Sequence, residues 1–150
     1  MHRDDNTTNG PALADGLRTW ATGSYCAEAA VNLLVVHGTW LSRPEFQRQA
    51  VWIDAADGGC GDATRTVVGI DWGAAADVLA SAPASASERR VLALAIGLAD
   101  GDAHPVDLGD ALCSLDRRNT ALVLRAVAHA VGVHERNLRF VVDGADAHAS

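Results

Sequence analysis

Apolar residues recur at three- and four-residue spacing along most of the chain, the period of an α-helix with one buried face. Leu13, Leu17 and Trp20 line one side of residues 11–21. Thr22-Gly23-Ser24 breaks the pattern, and Ser24 is placed to cap a second helix. Cys26, Ala29, Ala30, Leu33 and Val36 then form a stripe along Tyr25–His37, and Gly38 stands where glycine commonly ends a helix. Ser42-Arg43-Pro44-Glu45 reads as a capping box with proline in the first turn, opening a helix that carries Phe46, Gln49, Ala50 and Ile53. Asp71 is the expected cap of an alanine-rich helix to about Ala80. Ser85-Ala86-Ser87-Glu88 is a second capping box, and the helix behind it runs through Ala99 until Gly101 closes it. Asp107 caps a short helix through Cys113, and Asp116 caps a long one through Val131, ended by Gly132.

The remaining segments read as connections. Residues 54–65 are rich in glycine and aspartate and predict a surface loop, and residues 81–87, with Pro83, predict a hinge. Residues 66–70 carry a short extended pattern, and residues 137–142 predict a strand or a packed extension. Residues 1–10 and 143–150 read as loose tails around one helical domain over residues 11–142. The expected fold is an all-α bundle of about six helices. If residues 66–70 pair with residues 139–142, the class becomes α+β with a minor two-stranded element.

Composition fits this picture and narrows the chemistry. Of 150 residues, 49% are hydrophobic and 21% charged, which excludes a disordered, collagenous or disulfide-built chain. All 12 basic residues are arginine, and with abundant alanine this predicts a high-GC, bacterial coding sequence. The net charge of −7 argues against a general nucleic-acid binder. Cys26, Cys60 and Cys113 cannot all pair within one chain, which predicts free thiols and a reducing compartment. The first residues hold no apolar signal region, and no apolar run approaches the roughly 18 residues of a membrane span. A cytoplasmic protein without membrane contact is expected.

Four features bear on chemistry. Asp100, Asp102 and His104, with Asp107 and Asp110 behind them, offer oxygens and an imidazole to a cation. Pro105 stands where a calcium loop needs glycine, and Ala111 where it needs glutamate. Helix termination and capping account for these aspartates better. Cys60, in Asp57-Gly-Gly-Cys60-Gly-Asp62, is the one thiol placed for reactivity, since Cys26 and Cys113 fall on apolar stripes and are expected in the core. No base is spaced to activate it. On the last helix Arg118, Arg125 and His129 share a narrow face of an otherwise apolar element, expected to be central and mostly buried. Residues 117–139 hold five arginines against one glutamate. A helix-turn-helix reading of this region is opposed by Asp107, Asp110 and Asp116, which repel phosphates. Trp20, Trp40, Trp52 and Trp72 fall near expected helix ends, where tryptophan either seals a bundle or anchors a partner. Sealing is expected of at least two of them, and if any is exposed, Trp40 and Trp52 are the expected ones, because they bracket one helix beside an acidic loop.

No nucleophile, base and orienting acid line up, and neither a cofactor nor a metal is expected. The sequence is best read as a non-enzymatic helical module acting on an unknown protein partner or on a second copy of itself. The candidate surface is Trp40, Trp52, Arg118, Arg125 and His129. Nucleic-acid or phosphate binding at the arginine edge is the alternative, and a metal- or thiol-dependent enzyme using Asp100, Asp102, His104 or Cys60 comes after it.

Overall fold

The computed structural model describes residues 10–56 and 65–133. Helices α1 (Gly10–Ala21), α2 (Tyr25–His37) and α3 (Pro44–Ala50) precede strands β1 (Val51–Ala56) and β2 (Arg65–Ile70). Helices α4 (Trp72–Ser81), α5 (Ala86–Ala99), α6 (Leu108–Leu112) and α7 (Arg117–Ala130) complete the order. The described residues thus form a mostly helical body with one two-stranded antiparallel sheet.

Most helix starts come from short-range hydrogen bonds. Ser24, Asp71, Ser85, Asp107 and Asp116 each accept the backbone N–H three residues on, satisfying a donor that the first turn leaves open. At Ser85 the box is complete, because Glu88 Oε2 accepts the Ser85 N–H at 2.9 Å. The expected box at Ser42 does not form. The Ser42 hydroxyl donates backwards to the Thr39 carbonyl at 2.8 Å, and Arg43, with no side-chain cap, precedes Pro44. The α2 helix ends as expected at Gly38, whose φ of 79° is a conformation that side-chain-bearing residues adopt at a cost.

Strand β1 corrects the expected end of the third helix and the expected start of the loop after it. The helix expected to carry Ile53 stops at Ala50, and residues 51–56 continue as β1. Val51, Trp52 and Ile53 suit a pleated surface better than a helix. Among the described residues β2 pairs with this adjacent strand, in a register from Val51↔Ile70 to Ala56↔Arg65. The start of the segment expected as a loop is therefore strand. The proposed partner at residues 139–142 and the tail at residues 143–150 lie outside the described residues, as do residues 1–9 of the tail expected over 1–10, while Gly10 opens α1.

The core is built around α2, which packs against α7, α5 and α1. Leu13 and Leu17 of α1, Val31, Leu33 and Leu34 of α2, and Val91, Leu92 and Leu94 of α5 are buried there. The β-ribbon lies on α1, and α3 joins α4 beside it. The central helix is thus α2 and not α7, the element whose apolar pattern predicts a central place. The α7 helix buries Asn119, Val123 and Ala126 and leaves its opposite side to solvent.

Candidate functional site

Trp40 is removed from the candidate surface. It is fully buried, its indole N–H donates to the Glu88 carbonyl at 2.9 Å, and Phe46 tilts against it at 6.0 Å. The Arg43 guanidinium lies 4.4 Å from the centre of its ring, and that guanidinium also pairs with Glu88 at 3.1 Å. Trp40 seals the bundle, the role expected of some of the tryptophans.

Trp52 stays 39% exposed, but it too has structural work. It sits opposite Gly69 in the ladder and meets Trp20 of α1 edge-on, with ring centres 5.9 Å apart. A Cβ on residue 69 would collide with both indoles. Glycine there lets two tryptophans close over the strand, a cross-strand use of a missing side chain.

Among the described residues the metal alternative gains no assembled centre. His104 Nε2 approaches Asp100 at 3.9 Å, too long for a hydrogen bond. Among the described residues no three His, Cys, Asp or Glu side chains converge as for a metal ion, so Asp102 brings no third ligand to this pair. Cys60 lies outside the described residues. Cys26 and Cys113, expected in the core, are both exposed. Cys26 lies in the first turn of α2 and Cys113 is the C-cap of α6.

The outer side of α7 does carry a continuous chemistry. At about 100° per residue, Leu124, Val127 and the C-cap residue Val131 fall within about 60° of arc. All three are exposed, Val131 at 70%, although Leu and Val normally mark the inward face of such a helix. Arg118, Arg125 and His129 occupy a second arc of about 40° further round. Ala121 and Ala128, both partly exposed, lie between the two rows. The α7 sequence contains no acidic residue, so this face is basic on an acidic protein.

His129 closes the basic row against α2. Its Nε2 lies 2.7 Å from Glu28 Oε2, and its ring meets Tyr25 edge-on at 6.0 Å. Glu28 also accepts the Gly23 N–H at 3.1 Å. The expected basic group is therefore held by a carboxylate 101 residues away in sequence. Tyr25, half exposed, extends the face with an aromatic rim.

A polar knot at the other end of α7 fixes the helix in place. Asp116 accepts the Asn119 N–H at 2.8 Å, and Asn119 Nδ2 donates to Ser87 Oγ at 2.7 Å and to Asp116 Oδ2 at 2.9 Å. Ser87 Oγ in turn donates to Asp116 Oδ2 at 3.1 Å. The Asn119 backbone N–H above all, then the Ser87 hydroxyl, holds the Asp116 carboxyl below its usual range. His37 lies nearby, 7% exposed, and its buried Nδ1 has no hydrogen-bond partner among the described residues. Burial first, then the Arg118 charge, pushes its imidazole down, while Glu88 and Asp116 oppose the shift. The Ser87 hydroxyl donates to Asp116 and accepts from Asn119, so it ties the starts of α5 and α7 together. Sequence reading missed both this knot and the His129–Glu28 pair. Neither has a local signal, because each joins elements far apart in the chain.

No family model, curated protein or solved structure matches this chain.

Proposed function

We propose that this chain is a non-enzymatic helical module that binds another protein through the outward face of α7. The observation that supports the reading is the exposure of Leu124, Val127 and Val131 at i, i+3 and i+7 on a helix whose far side is well packed. That spacing is the anchor pattern by which one helix engages another or a groove. Single exposed apolar residues are ordinary, but an ordered row beside a basic row is the composition of an interface. The reading drops Trp40 and keeps Arg118, Arg125 and His129 as its polar flank. Nucleic acid is the weaker reading. The Glu28 carboxylate sits in the same row as His129, and the apolar stripe offers nothing to phosphates.

The test is site-specific photo-crosslinking with the probe amino acid at position 127 in the full chain, in the source cells. A discrete adduct is expected. Its purified partner should bind the wild-type chain in solution and lose about tenfold in affinity with Val127→Asp. Leu108→Asp, at an exposed apolar position on α6, should bind normally. A partner indifferent to Val127→Asp, or no adduct at any α7 position, rejects the proposal.

A further inference from the structure

We infer that the segment of the partner that seats on α7 is an amphipathic helix with an acidic flank. This rests on the reading of α7 as the binding face and adds what the partner must be. Three strips of that face each select a feature. The Leu124, Val127 and Val131 row takes an apolar row of matching period. Ala121 and Ala128 place no long side chain in the middle, so a second helix can approach to about 8–10 Å between axes. Arg118 and Arg125 are seven residues apart, about 10 Å along the axis, the rise between carboxylates two turns apart on a partner helix.

Among the described residues these guanidiniums have no carboxylate within ion-pair distance, although the Arg118 charge is felt by His37 and Asp116. Arg18, Arg43 and Arg90 each pair with a carboxylate, namely Asp15, Glu88 and Asp110. Arg118 and Arg125 are exposed and make no ion pair among the described residues. An arginine fork beside an apolar stripe recognises a carboxylate in two-toothed fashion, which fixes the register of the incoming helix. An acidic helix brings a few charges onto this local basic row. A long polyanion would meet the chain's overall charge of −7 as well. A second copy fits less well. Pairing α7 with α7 sets arginine against arginine, and α6, which has exposed Leu108 and Leu112 beside aspartates, is only 5 residues long.

The test is selection of displayed helical peptides of about 18 residues, or five turns, against the full-length chain. Three leucines are fixed at i, i+3 and i+7 and all other positions are randomised. Enriched peptides should carry Asp or Glu in excess along one flank. A synthetic winner should bind about tenfold more weakly to Arg118→Glu/Arg125→Glu, and changing its acids to lysine should restore binding to that variant. Both substitutions are at exposed positions, and unchanged melting verifies the fold. Winners that need Val127 but show no acidic bias overturn the acidic-helix inference while leaving the α7 face standing. Winners indifferent to Val127→Asp and to the arginine changes overturn both. A concentration-dependent dimer in sedimentation, dissolved by Val127→Asp, overturns the inference in favour of a second copy.

Discussion

Asn119 Nδ2 and Ser87 Oγ, 32 residues apart in the chain, lie 2.7 Å from each other and tie the first turns of α7 and α5. Asn119 is 5% exposed, so its amide has no water to fall back on. Removing it takes away one donor to the Ser87 oxygen, whose hydroxyl keeps its bond to Asp116, and loosens the Asp116 cap, since Asp116 also accepts from the same amide. Asn119→Ala is expected to cost about 1–3 kcal/mol in denaturant unfolding. Ser87→Ala should cost less, and the double variant should cost less than the sum of the two singles. Additive losses would show that the two residues stabilise their helices separately.

Trp40 separates packing from hydrogen bonding. Trp40→Phe keeps an aromatic ring against Phe46 but removes the donor to the Glu88 carbonyl and part of the surface under Arg43. A loss of about 2 kcal/mol is expected, against about 3–5 kcal/mol for Trp40→Ala. Equal losses for the two variants would mean that the hydrogen bond, and not the buried ring, carries the effect.

At position 69 the expected direction is the reverse of ordinary strand propensity. Alanine normally suits a strand better than glycine, but here its Cβ would strike Trp52 and Trp20. Gly69→Ala should destabilise by about 1–3 kcal/mol through overpacking. The edge-on pair would be forced apart, so the near-ultraviolet circular dichroism of the tryptophans should change with it. Neutral or raised stability with an unaltered tryptophan signal would contradict the close approach.

Acid sensitivity should begin at His37. Its imidazole is held below the ordinary value of 6.5 by burial and then by Arg118, with Arg43 acting in the same direction and Glu88 and Asp116 against. The unfolded chain therefore takes up a proton below pH 6.5 that the folded chain resists. Stability is level above that pH and declines beneath it, by at most about 1.4 kcal/mol per pH unit for one proton. Glu88, held low first by the Ser85 backbone N–H, loses its contribution only below its ordinary 4.5. Asp116 does the same below 3.8. Urea midpoints measured against pH should decline between about pH 6.5 and 5, and His37→Gln should flatten that limb. An unchanged slope in the variant would place the proton uptake elsewhere.

Helix starts and the mostly helical class were legible in the chain because a cap is a local event. The serine or aspartate at Ser24, Asp71, Ser85, Asp107 or Asp116 needs only the amide three residues later. The failure at Ser42 has the same scale: a carbonyl three residues earlier took the hydroxyl. The short ribbon was half legible. Ile53 satisfies a helical period from Phe46 and an alternating one from Val51 equally well, and pairing with β2 decided between them.

Periodicity could say which residues share a side of a helix, but not which sides the neighbours would reach. That is why Cys26 and Cys113 came out exposed, why Trp40 went inside, and why Leu124, Val127 and Val131 stayed outside. Local hydrogen bonds and turn conformations are set within a few residues, so the order of amino acids suffices for them. Burial and long-range pairs such as His129 with Glu28 depend on how whole helices stack, and no spacing along the chain encodes that distance.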